Sequence, residues 1–229
     1  MEIARYLAMT ADEFATAPPI PERKAWMACH FSPYSTTLSN LPEAMPANSL
    51  LILDDSTPPS GQDLKAVAAI LETILKKHKC SGLLLDFQRP DCPMTQEMAQ
   101  ALITLPFPVC VSEFYAKSLD CPIFLPPLPL TIPLTDYITP WKDRKIWLDT
   151  ALSCEKITVT EKGSTFTPLT TIPDHSLADK ELHCHYRIQQ TNDSFVFTLH
   201  RTKQDLSDLL AEAEAFGVEA AVGLYQELK

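Results

Sequence analysis

Acidic residues stand at or directly after four apolar runs of this sequence. Their side chains are the strongest candidates for catalysis or ligand binding. The runs end at Asp54, Asp86, Ser112–Glu113 and Asp149. A carboxyl group can transfer a proton in catalysis, and a carboxylate accepts hydrogen bonds from ligand hydroxyl groups. We therefore take Asp86 and Glu113 as candidate catalytic residues, and all four acids as candidate ligand contacts.

Gln88 and His30 extend this set. Gln88 lies two residues after Asp86, so on a β-strand the two side chains point to the same side, which in a closed barrel is the interior. His30 stands near the end of the apolar run WMACHF. Alternation also predicts that only one of the neighbours Asp54 and Asp55 faces the interior, which argues against a catalytic pair made of these two alone.

Two histidines, His183 and His185, form a His-x-His pattern on a predicted strand. Imidazole nitrogens bind zinc, but a site needs at least a third ligand and usually a partner that orients the ligands. His30, Asp54 or Asp149 are the available third ligands. A packed or solvated hairpin face is the favoured interpretation, so we predict no metal and no cofactor.

Several aromatic residues are possible stacking platforms for a sugar ring. They are Tyr115, Tyr137, Trp141 and Trp147. An aromatic content of 8% is ordinary, which favours core packing for most of them. Tyr115 is kept as a candidate ligand contact.

Apolar runs alternate with amphipathic helices, which predicts an α/β fold. Strands are predicted at Trp26–Phe31, Leu50–Leu53, Ser81–Phe87, Val109–Val111, Pro122–Leu125, Lys145–Leu148 and Val218–Leu224. Helices are predicted at Asp63–Lys79, with Ser60 as a possible cap, at Thr95–Leu105 and at Lys203–Phe216, with a short helix or turn in 134–143. Residues 1–24 are interpreted as a helix over about Ala4–Ala15 and a proline-rich lead-in, and residues 155–200 as a β-hairpin excursion with a turn at TNDS.

Parallel strands covered on both faces have near-unbroken apolar sequences, as Ser81–Phe87 does. Such strands fit either a doubly wound open sheet or a β/α barrel. The polar residues gather at strand ends, where barrel sites lie, and a final strand near the C-terminus can close a ring. We therefore predict one domain over residues 1–229, a small irregular (β/α) TIM-type barrel, complete or incomplete.

Composition excludes several function classes. The net charge of −10 and the absence of Lys/Arg clusters disfavour nucleic acids and anionic membranes as partners. Five glycines, with neither GxGxxG nor GxxxxGK[ST], disfavour the nucleotide-binding folds that need those loops. No apolar run approaches the about 18 residues of a membrane span, the N-terminus lacks the features of a secretion signal, and seven scattered cysteines suit a reducing compartment, so we expect a cytoplasmic protein.

The run Ser81–Gln88, SGLLLDFQ, resembles the D-G-x-D-x-D-x-E signature that ends the fourth barrel strand in glycoside hydrolase family 18. Gly82 and Asp86 match it, and Phe87 stands where the family usually has Trp or another aromatic residue. Residues 185–228 are similar in layout to the end of spore-germination and chitinase-like members: a hairpin, a helix and a closing strand that begins near Gly217. The resemblance implies a saccharide-related barrel.

The sequence departs from the family pattern at the residues that perform the chemistry. The resemblance places Gln88 where the family has its proton-donating Glu, and an amide cannot transfer a proton at physiological pH. Ser81 and Leu84 replace the other two aspartates, and IFLPPLPL has no counterpart of the sixth-strand Met-x-Tyr-Asp. Tyr225 is the candidate for the aromatic residue that closes the sugar pocket, one position out of register.

These patterns predict a family 18-like barrel that lacks the usual catalytic acid, a pseudoenzyme that binds a saccharide or similar small polar ligand. The ligand would lie at the C-terminal rim of the strands. One alternative is an active hydrolase that uses Asp86 with Glu113, or a His/Asp metal site. A second alternative is a non-catalytic interaction protein whose rim is filled by proline-rich loops.

Overall fold

The computed structural model describes residues 2–191 and 193–229. Its strands are β1 (Ala4–Met9), β2 (Arg23–Phe31), β3 (Leu38–Ser39), β4 (Leu50–Asp54), β5 (Gly82–Asp86), β6 (Val109–Ser112), β7 (Ile123–Leu125), β8 (Ile146–Thr150), β9 (Cys154–Thr160), β10 (Gly163–Pro168), β11 (Leu177–Asp179), β12 (Cys184–Gln190), β13 (Phe195–His200) and β14 (Val218–Leu224). Its α-helices are α1 (Ala11–Thr16), α2 (Leu64–His78), α3 (Pro93–Leu102), α4 (Glu113–Ala116), α5 (Leu134–Ile138), α6 (Lys203–Ala215) and α7 (Tyr225–Leu228), and Thr139–Trp141 form a 3₁₀ turn.

Eight parallel strands close into a barrel. Around the ring the order is β1, β2, β4, β5, β6, β7, β8 and β14, and β14 pairs with β1. This closure confirms the predicted TIM-type barrel over an open sheet. The barrel is irregular because no helix joins β2 to β4 in the described residues; the connection 32–49 contains only β3, which pairs antiparallel with β2.

The predicted helix over Ala4–Ala15 is wrong in its first half. Residues 4–9 form the barrel strand β1, and helix α1 begins only after Thr10, whose extended backbone and capping box with Glu13 start it. The apolar spacing is compatible with a helix, but pairing with β2 and β14 decides the conformation. Ser81–Gln88 therefore contains the fourth barrel strand, β5, and the loop residues directly after it, which is the position that the family resemblance implies.

Alternate strand residues fill two separate apolar layers. Inside the barrel, Leu84 packs with Ile52 and Phe124, and Tyr6 stacks on Trp147 with ring centroids 6.3 Å apart. The other face of each strand packs against the helices in a larger outer layer. The barrel interior is therefore a filled core below its rim, and a ligand site can lie only at the strand ends.

Single residues mark the start of α2 and the end of α6. Asp63, rather than Ser60, caps α2 by accepting hydrogen bonds from the backbone N–H groups of Lys65 and Ala66. Gly217 follows α6 with a φ of 79°, the left-handed conformation expected of a glycine at this position. The chain then enters β14 directly, so α6 and the closing strand lie next to each other.

A second, antiparallel sheet is inserted between β8 and α6. Its strand order is β10, β9, β13, β12, β11. The predicted β excursion near residues 155–200 is thereby confirmed, and it is larger than a single hairpin. The predicted TNDS turn contains Asn192, which lies outside the described residues.

Within the described residues, no helix combines the length and the apolar character needed to cross a membrane.

Candidate functional site

Three aspartates lie at the C-terminal rim of the barrel and face one cavity. Asp54 and Asp86 are level with each other on the neighbouring strands β4 and β5, and Asp149 lies on β8 across the mouth. The cavity has a volume of about 180 Å³. Its lining consists of Ala8, Met27, Ile52, Asp54, Leu84, Asp86, Phe124, Asp149, Thr150, Ala151, Val222, Gly223, Leu224 and Glu227.

Asp86 sits at the centre of this rim. Its carboxylate accepts a hydrogen bond from the Gln88 side-chain amide at 3.2 Å, as two residues on the same side of the chain would. Burial raises the pKa of Asp86; the Gln88 hydrogen bond lowers it, and the charges of Asp54 and Asp55 raise it again. On balance the surroundings of Asp86 disfavour its charged form, and the Gln88 amide partly offsets this.

Asp149 is the most perturbed acid of the rim. Burial first, and the charge of Asp86 second, raise the pKa of Asp149 to about 7, although a hydrogen bond with the Thr150 backbone lowers it. Glu227, which returns to the rim from α7, raises it as well. At neutral pH this carboxyl can therefore either donate or accept a proton.

The neighbours Asp54 and Asp55 take opposite roles, as strand alternation predicts. Asp54 faces the cavity and accepts hydrogen bonds from the backbone N–H and the hydroxyl of Ser56. Asp55 is buried and accepts from the backbone N–H groups of Gln88 at 3.1 Å and Arg89 at 2.9 Å. It thus fixes the loop that carries Gln88.

Two further recesses adjoin the cavity at Asp86. One, of about 330 Å³, is lined by Asp54, Asp55, Ser56, Asp86, Gln88 and Arg89. The other, of about 340 Å³, is lined by Asp86, Phe87, Gln88, Ser112, Glu113, Phe114, Phe124, Pro126, Pro127 and Asp149. Because the three share Asp86, we call them together the rim groove.

Glu113 begins α4 and lines the last of these recesses together with Asp86 and Asp149. Tyr137 lies close to Glu113 and Asp149. Burial raises the pKa of its phenol, and the charges of these two acids raise it further. The Tyr137 hydroxyl donates to the carbonyl of Pro126 at 2.8 Å. The structure thus brings Asp86, Gln88, Asp54, Glu113 and Asp149 to one groove.

Three other candidates lie elsewhere. His30 is half-buried and level with Asp54 on the neighbouring strand, but it does not line the rim groove. Tyr115 is buried in the outer layer, where its ring meets Phe87 edge-on and its hydroxyl donates to the carbonyl of Arg89.

Tyr225, expected to close a sugar pocket, is the first residue of α7 and also packs in the outer layer. The Lys229 ammonium lies 5.2 Å from the centre of its ring. The preceding residue, Leu224, lines the cavity instead. Leu224, one position before Tyr225, thus presents an aliphatic side chain to the cavity.

The two histidines of the His-x-His pattern are paired with acids on α6, far from the rim aspartates in the chain. His183 Nε2 lies 2.8 Å from Glu212 Oε2, and His185 Nδ1 lies 2.9 Å from Asp205 Oδ2. His183 precedes β12 with a φ of 47°, so the pair does not share one strand face as predicted. In the described residues, no three His, Cys, Asp or Glu side chains are placed to hold a metal ion.

These pairs belong to a buried contact between the second sheet and α6, which we call the sheet–helix junction (His183, His185, His200, Arg201, Asp205 and Glu212). Arg201 is almost fully buried there, and its guanidinium donates to the carbonyls of His183 and Leu128 at 3.0 Å each and of Leu182 at 3.5 Å. The polar groups of the junction hold the insertion onto the barrel.

Sequence reasoning missed two residues of the rim groove. Glu227 contributes a carboxylate from the C-terminal helix and accepts from the backbone N–H of Leu152 at 3.2 Å. Phe114 is half-exposed in the recess beside Glu113. Phe114 was detectable as an aromatic neighbour of a candidate acid, whereas nothing in the local sequence links Glu227 to the rim.

Solved structures with the same fold come from saccharide-related proteins. The chain is similar to a chitinase-like agglutinin from Robinia pseudoacacia, with 12% identity and a TM-score of 0.63 over 98% of this chain and 95% of that one. A glycoside hydrolase family 18 N-acetylglucosaminidase from Paenibacillus barengoltzii matches with 8% identity and a TM-score of 0.60 over 98% and 96% of the two chains. The spore cortex-lytic enzyme SleL of Bacillus megaterium matches with 7% identity and a TM-score of 0.54 over 97% and 70%.

No protein-family model matches this sequence, and no curated protein matches it. At identities of 7–12%, the structural likeness shows the fold alone. That fold is a TIM barrel of the kind found in glycoside hydrolase family 18.

Proposed function

We propose that this protein binds a saccharide in the rim groove without performing family 18 hydrolysis. The observation that carries the proposal is that Asp86 and Asp149 face an open cavity with few donors of their own. Among the described residues, the Gln88 amide is the single side-chain donor to Asp86. Partly buried carboxylates need hydrogen-bond donors, and a ligand with several hydroxyl groups supplies them.

The negative charge of the central cavity disfavours anionic ligands. Asp54, Asp86, Asp149 and Glu227 line the central cavity, and no Lys, Arg or His is among its lining residues. An anionic ligand such as a phosphate or a uronic acid would meet repulsion there. Neutral sugars, and amino sugars that carry an ammonium group, fit this surface better.

The remainder of the groove suits a flat, partly apolar ring. Phe114 presents a half-exposed aromatic face beside Glu113, and Pro126 and Pro127 continue the wall. An aromatic face and carboxylates close together match the two sides of a pyranose, whose C–H face is apolar and whose rim is polar. The structures with this fold include a chitinase-like agglutinin and an N-acetylglucosaminidase, which supports a saccharide as the ligand class.

Gln88 is the reason to propose binding rather than hydrolysis. Its side chain holds Asp86 by a hydrogen bond, and it stands where the resemblance implies the catalytic acid. General acid catalysis contributes roughly 10²–10⁴-fold, and an amide cannot supply it. The family's chemistry therefore has no proton donor at this position.

A specific observation favours a second function, a hydrolase that uses another acid pair. With a pKa of about 7, Asp149 can serve as a general acid while Asp86 remains the base or nucleophile. Two carboxyl groups whose environments separate their pKa values are the usual arrangement for this chemistry. Glu113 lines the same recess and is the alternative partner of Asp86.

Calorimetric titration tests the binding proposal. Chitooligosaccharides, their deacetylated forms and muropeptide fragments are titrated into the wild-type protein and into Asp86→Asn, Asp149→Asn and the surface control Asp12→Asn, whose side chain is exposed on α1. We expect binding by the wild type and the control, and at least about tenfold weaker binding by the rim variants. Absence of heat with every saccharide, or equal binding by all variants, contradicts the proposal.

Turnover separates the two functions. The same oligosaccharides are incubated with the protein at pH 5, 6 and 7, and the products are separated by mass. Wild-type cleavage that disappears in both Asp149→Asn and Asp86→Asn establishes the hydrolase and refutes the non-catalytic proposal. Binding without cleavage supports the proposal.

A further inference from the structure

The outer part of one face of the second sheet is uncharged and largely apolar. The base of the same face carries Leu177 and Leu199 together with the acidic residues Glu155 and Asp179. Cross-strand register aligns Val159 with Phe195 in one row, and Phe166, Ile157, Phe197 and Ile188 in the next. Ser164 and Gln190 extend the first row at its two ends. None of these eight residues is charged, although 21% of the whole sequence is.

Only the base of this face is covered. Leu130, from the loop after β7, packs against Ile157 and Leu199. Further out, Phe166 is 62% exposed, Ile188 52% and Phe195 47%. Each large side chain that is half exposed leaves roughly 100 Å² of apolar surface in water, and the described residues offer nothing that covers it.

The opposite face of the same sheet is polar and already has a partner. His185 and His200 lie on it in register, and His185 pairs with Asp205 of α6. A sheet with one polar and one apolar face normally buries the apolar one. Here both faces meet the protein at the base of the sheet, but the outer apolar rows stay in water, and in the described part of the chain they lack a partner.

We propose that this apolar face is the dimerisation surface of the protein and that a second copy of the chain covers it. In a two-fold interface the same patch meets itself, so an apolar face needs no other complementary surface. Two sheets stack face to face about 10 Å apart with interdigitating side chains. With Val159 and Leu177 added, the exposed apolar area is roughly 500 Å² per copy, and with a polar rim it approaches the roughly 800 Å² per partner of a stable interface.

Charge supports a second copy in particular. Each chain has a net charge of −10, so two copies repel each other wherever acidic surfaces meet. The two rows bring no carboxylate into the contact. Contact through this face therefore avoids the repulsion that most other faces of so acidic a chain impose.

A saccharide is a poorer occupant. Sugar-binding surfaces combine a flat aromatic ring with hydrogen-bond donors and acceptors next to it. Here Val159 and Ile188 are aliphatic, and the polar residues Ser164 and Gln190 stand only at the ends of one row. The proposal is independent of the function proposed for the rim groove.

Sedimentation velocity of the full chain from about 1 to about 100 μM tests the proposal. We expect the wild type to shift from a 25.6 kDa monomer towards a species of twice that mass. The double substitution Phe166→Ser with Phe195→Ser removes two aromatic side chains from each side of the interface, and we expect the dissociation constant to rise by about 30-fold or more. Ile188→Thr, which keeps a β-branched residue in β12, tests the same face with little risk to folding.

Tyr34→Ser is the matched control, because Tyr34 is 96% exposed and lies in the connection after β2, away from the second sheet. Circular dichroism and thermal unfolding check that each variant folds. A wild type that stays monomeric at about 100 μM overturns the proposal. Dimerisation that the face variants leave unchanged, or that Tyr34→Ser weakens equally, also overturns it. If the face variants lose saccharide binding without a change of mass, the face binds the ligand instead and the proposal is wrong.

Discussion

Two regions of this molecule use the same ionisable residue types and treat them in opposite ways. At the sheet–helix junction, each histidine of the His-x-His pattern has an acid within 3 Å: Glu212 for His183 and Asp205 for His185. At the rim groove, the charge of Asp86 helps to raise the pKa of Asp149, and no cation is among the lining residues of the central cavity. Apart from His200, the junction pairs its polar side chains, whereas the rim leaves carboxyl groups facing an open cavity.

The difference shows that pairing, rather than residue type, decides whether an ionisable group is engaged by the fold or left available to a ligand. Buried groups with complete partners stabilise the fold, whereas groups with uncompensated charge in a cavity weaken it and persist where they serve binding or catalysis. We therefore expect substitutions in the two regions to change the free energy of unfolding in opposite directions. Removing a paired group should destabilise the junction, and neutralising an acid should stabilise the rim.

The largest effect is expected at Arg201. Arg201→Met removes the donors to the carbonyls of His183, Leu128 and Leu182 and leaves those carbonyls buried without partners. We expect a loss of about 3 kcal/mol in the free energy of unfolding, since each buried unsatisfied group costs roughly 1–3 kcal/mol. Urea unfolding at pH 7 measures it. Arg187→Met, at an exposed position of the same sheet, is the control and should change stability little. An equal loss in both variants would show that the hydrogen bonds of Arg201 do not account for the loss of stability.

At the rim, Asp149→Asn should stabilise the protein. Because the folded pKa of Asp149 is raised from 3.8 to about 7, the folded state binds its proton more tightly than the unfolded state, and stability falls as the pH rises through this window. Above pH 7 the substitution should therefore gain on the order of 1–3 kcal/mol, and below about pH 4 it should gain nothing. Urea unfolding from pH 4 to pH 8 tests this, with Asp12→Asn as control. A gain that does not grow with pH would show that the carboxyl is not strained by its neighbours.

The rim could be predicted from the sequence because the fold itself collects strand ends. Asp54, Asp86 and Asp149 each end an apolar run, and eight parallel strands bring all such ends to one mouth. Glu227 escaped because it reaches the rim from the helix after the last strand, a contact that depends on the whole ring being closed. Its arrival is a property of tertiary structure and leaves no local pattern.

The same limit explains the errors elsewhere. Residues 4–9 have the apolar spacing of a helix, and pairing with β2, and with β14 more than 200 residues away in the chain, makes them a strand. His183 and His185 form a ligand-like pattern locally, but their partners lie 20 to 29 residues further along, on α6. Local propensity predicts an element when its neighbours agree with it, and these segments are decided by distant partners.

A pH effect of the opposite sign is expected at the junction. His200 stacks on His185 with ring centroids 5.3 Å apart, and its Nδ1 is buried without a partner. Burial first, and His185 second, lower the pKa of His200 below 6.5, so the unfolded state takes up a proton first as the pH falls and stability is lost below about pH 6.5.

His200→Phe keeps a stacked ring without the titrating group. Relative to the wild type, it should therefore recover on the order of 1 kcal/mol of stability at pH 5 that it does not show at pH 8. Chemical unfolding at the two pH values measures this difference, and NMR titration of the His200 ring protons in the wild type locates its pKa. A ring that titrates at or above 6.5 would contradict the assignment of strain to this residue.

The smallest effect, and the one that most sharpens the comparison, is expected from Gln88→Glu. The amide that donates to Asp86 Oδ1 at 3.2 Å becomes a carboxylate, so Asp86 loses its donor and gains a like charge. We expect a loss of roughly 0.5–1 kcal/mol in the free energy of unfolding at pH 7 that disappears near pH 4, where one proton can be shared by the pair.

The pKa of Asp86, followed by NMR of its side-chain carboxyl, should rise, because a second charge adds to the burial that already raises it. Gln189→Glu, at an exposed position of β12, is the control. An unchanged Asp86 pKa would mean that the Gln88 contact does not hold the carboxylate, and the amide would then lose its place in the proposed binding site.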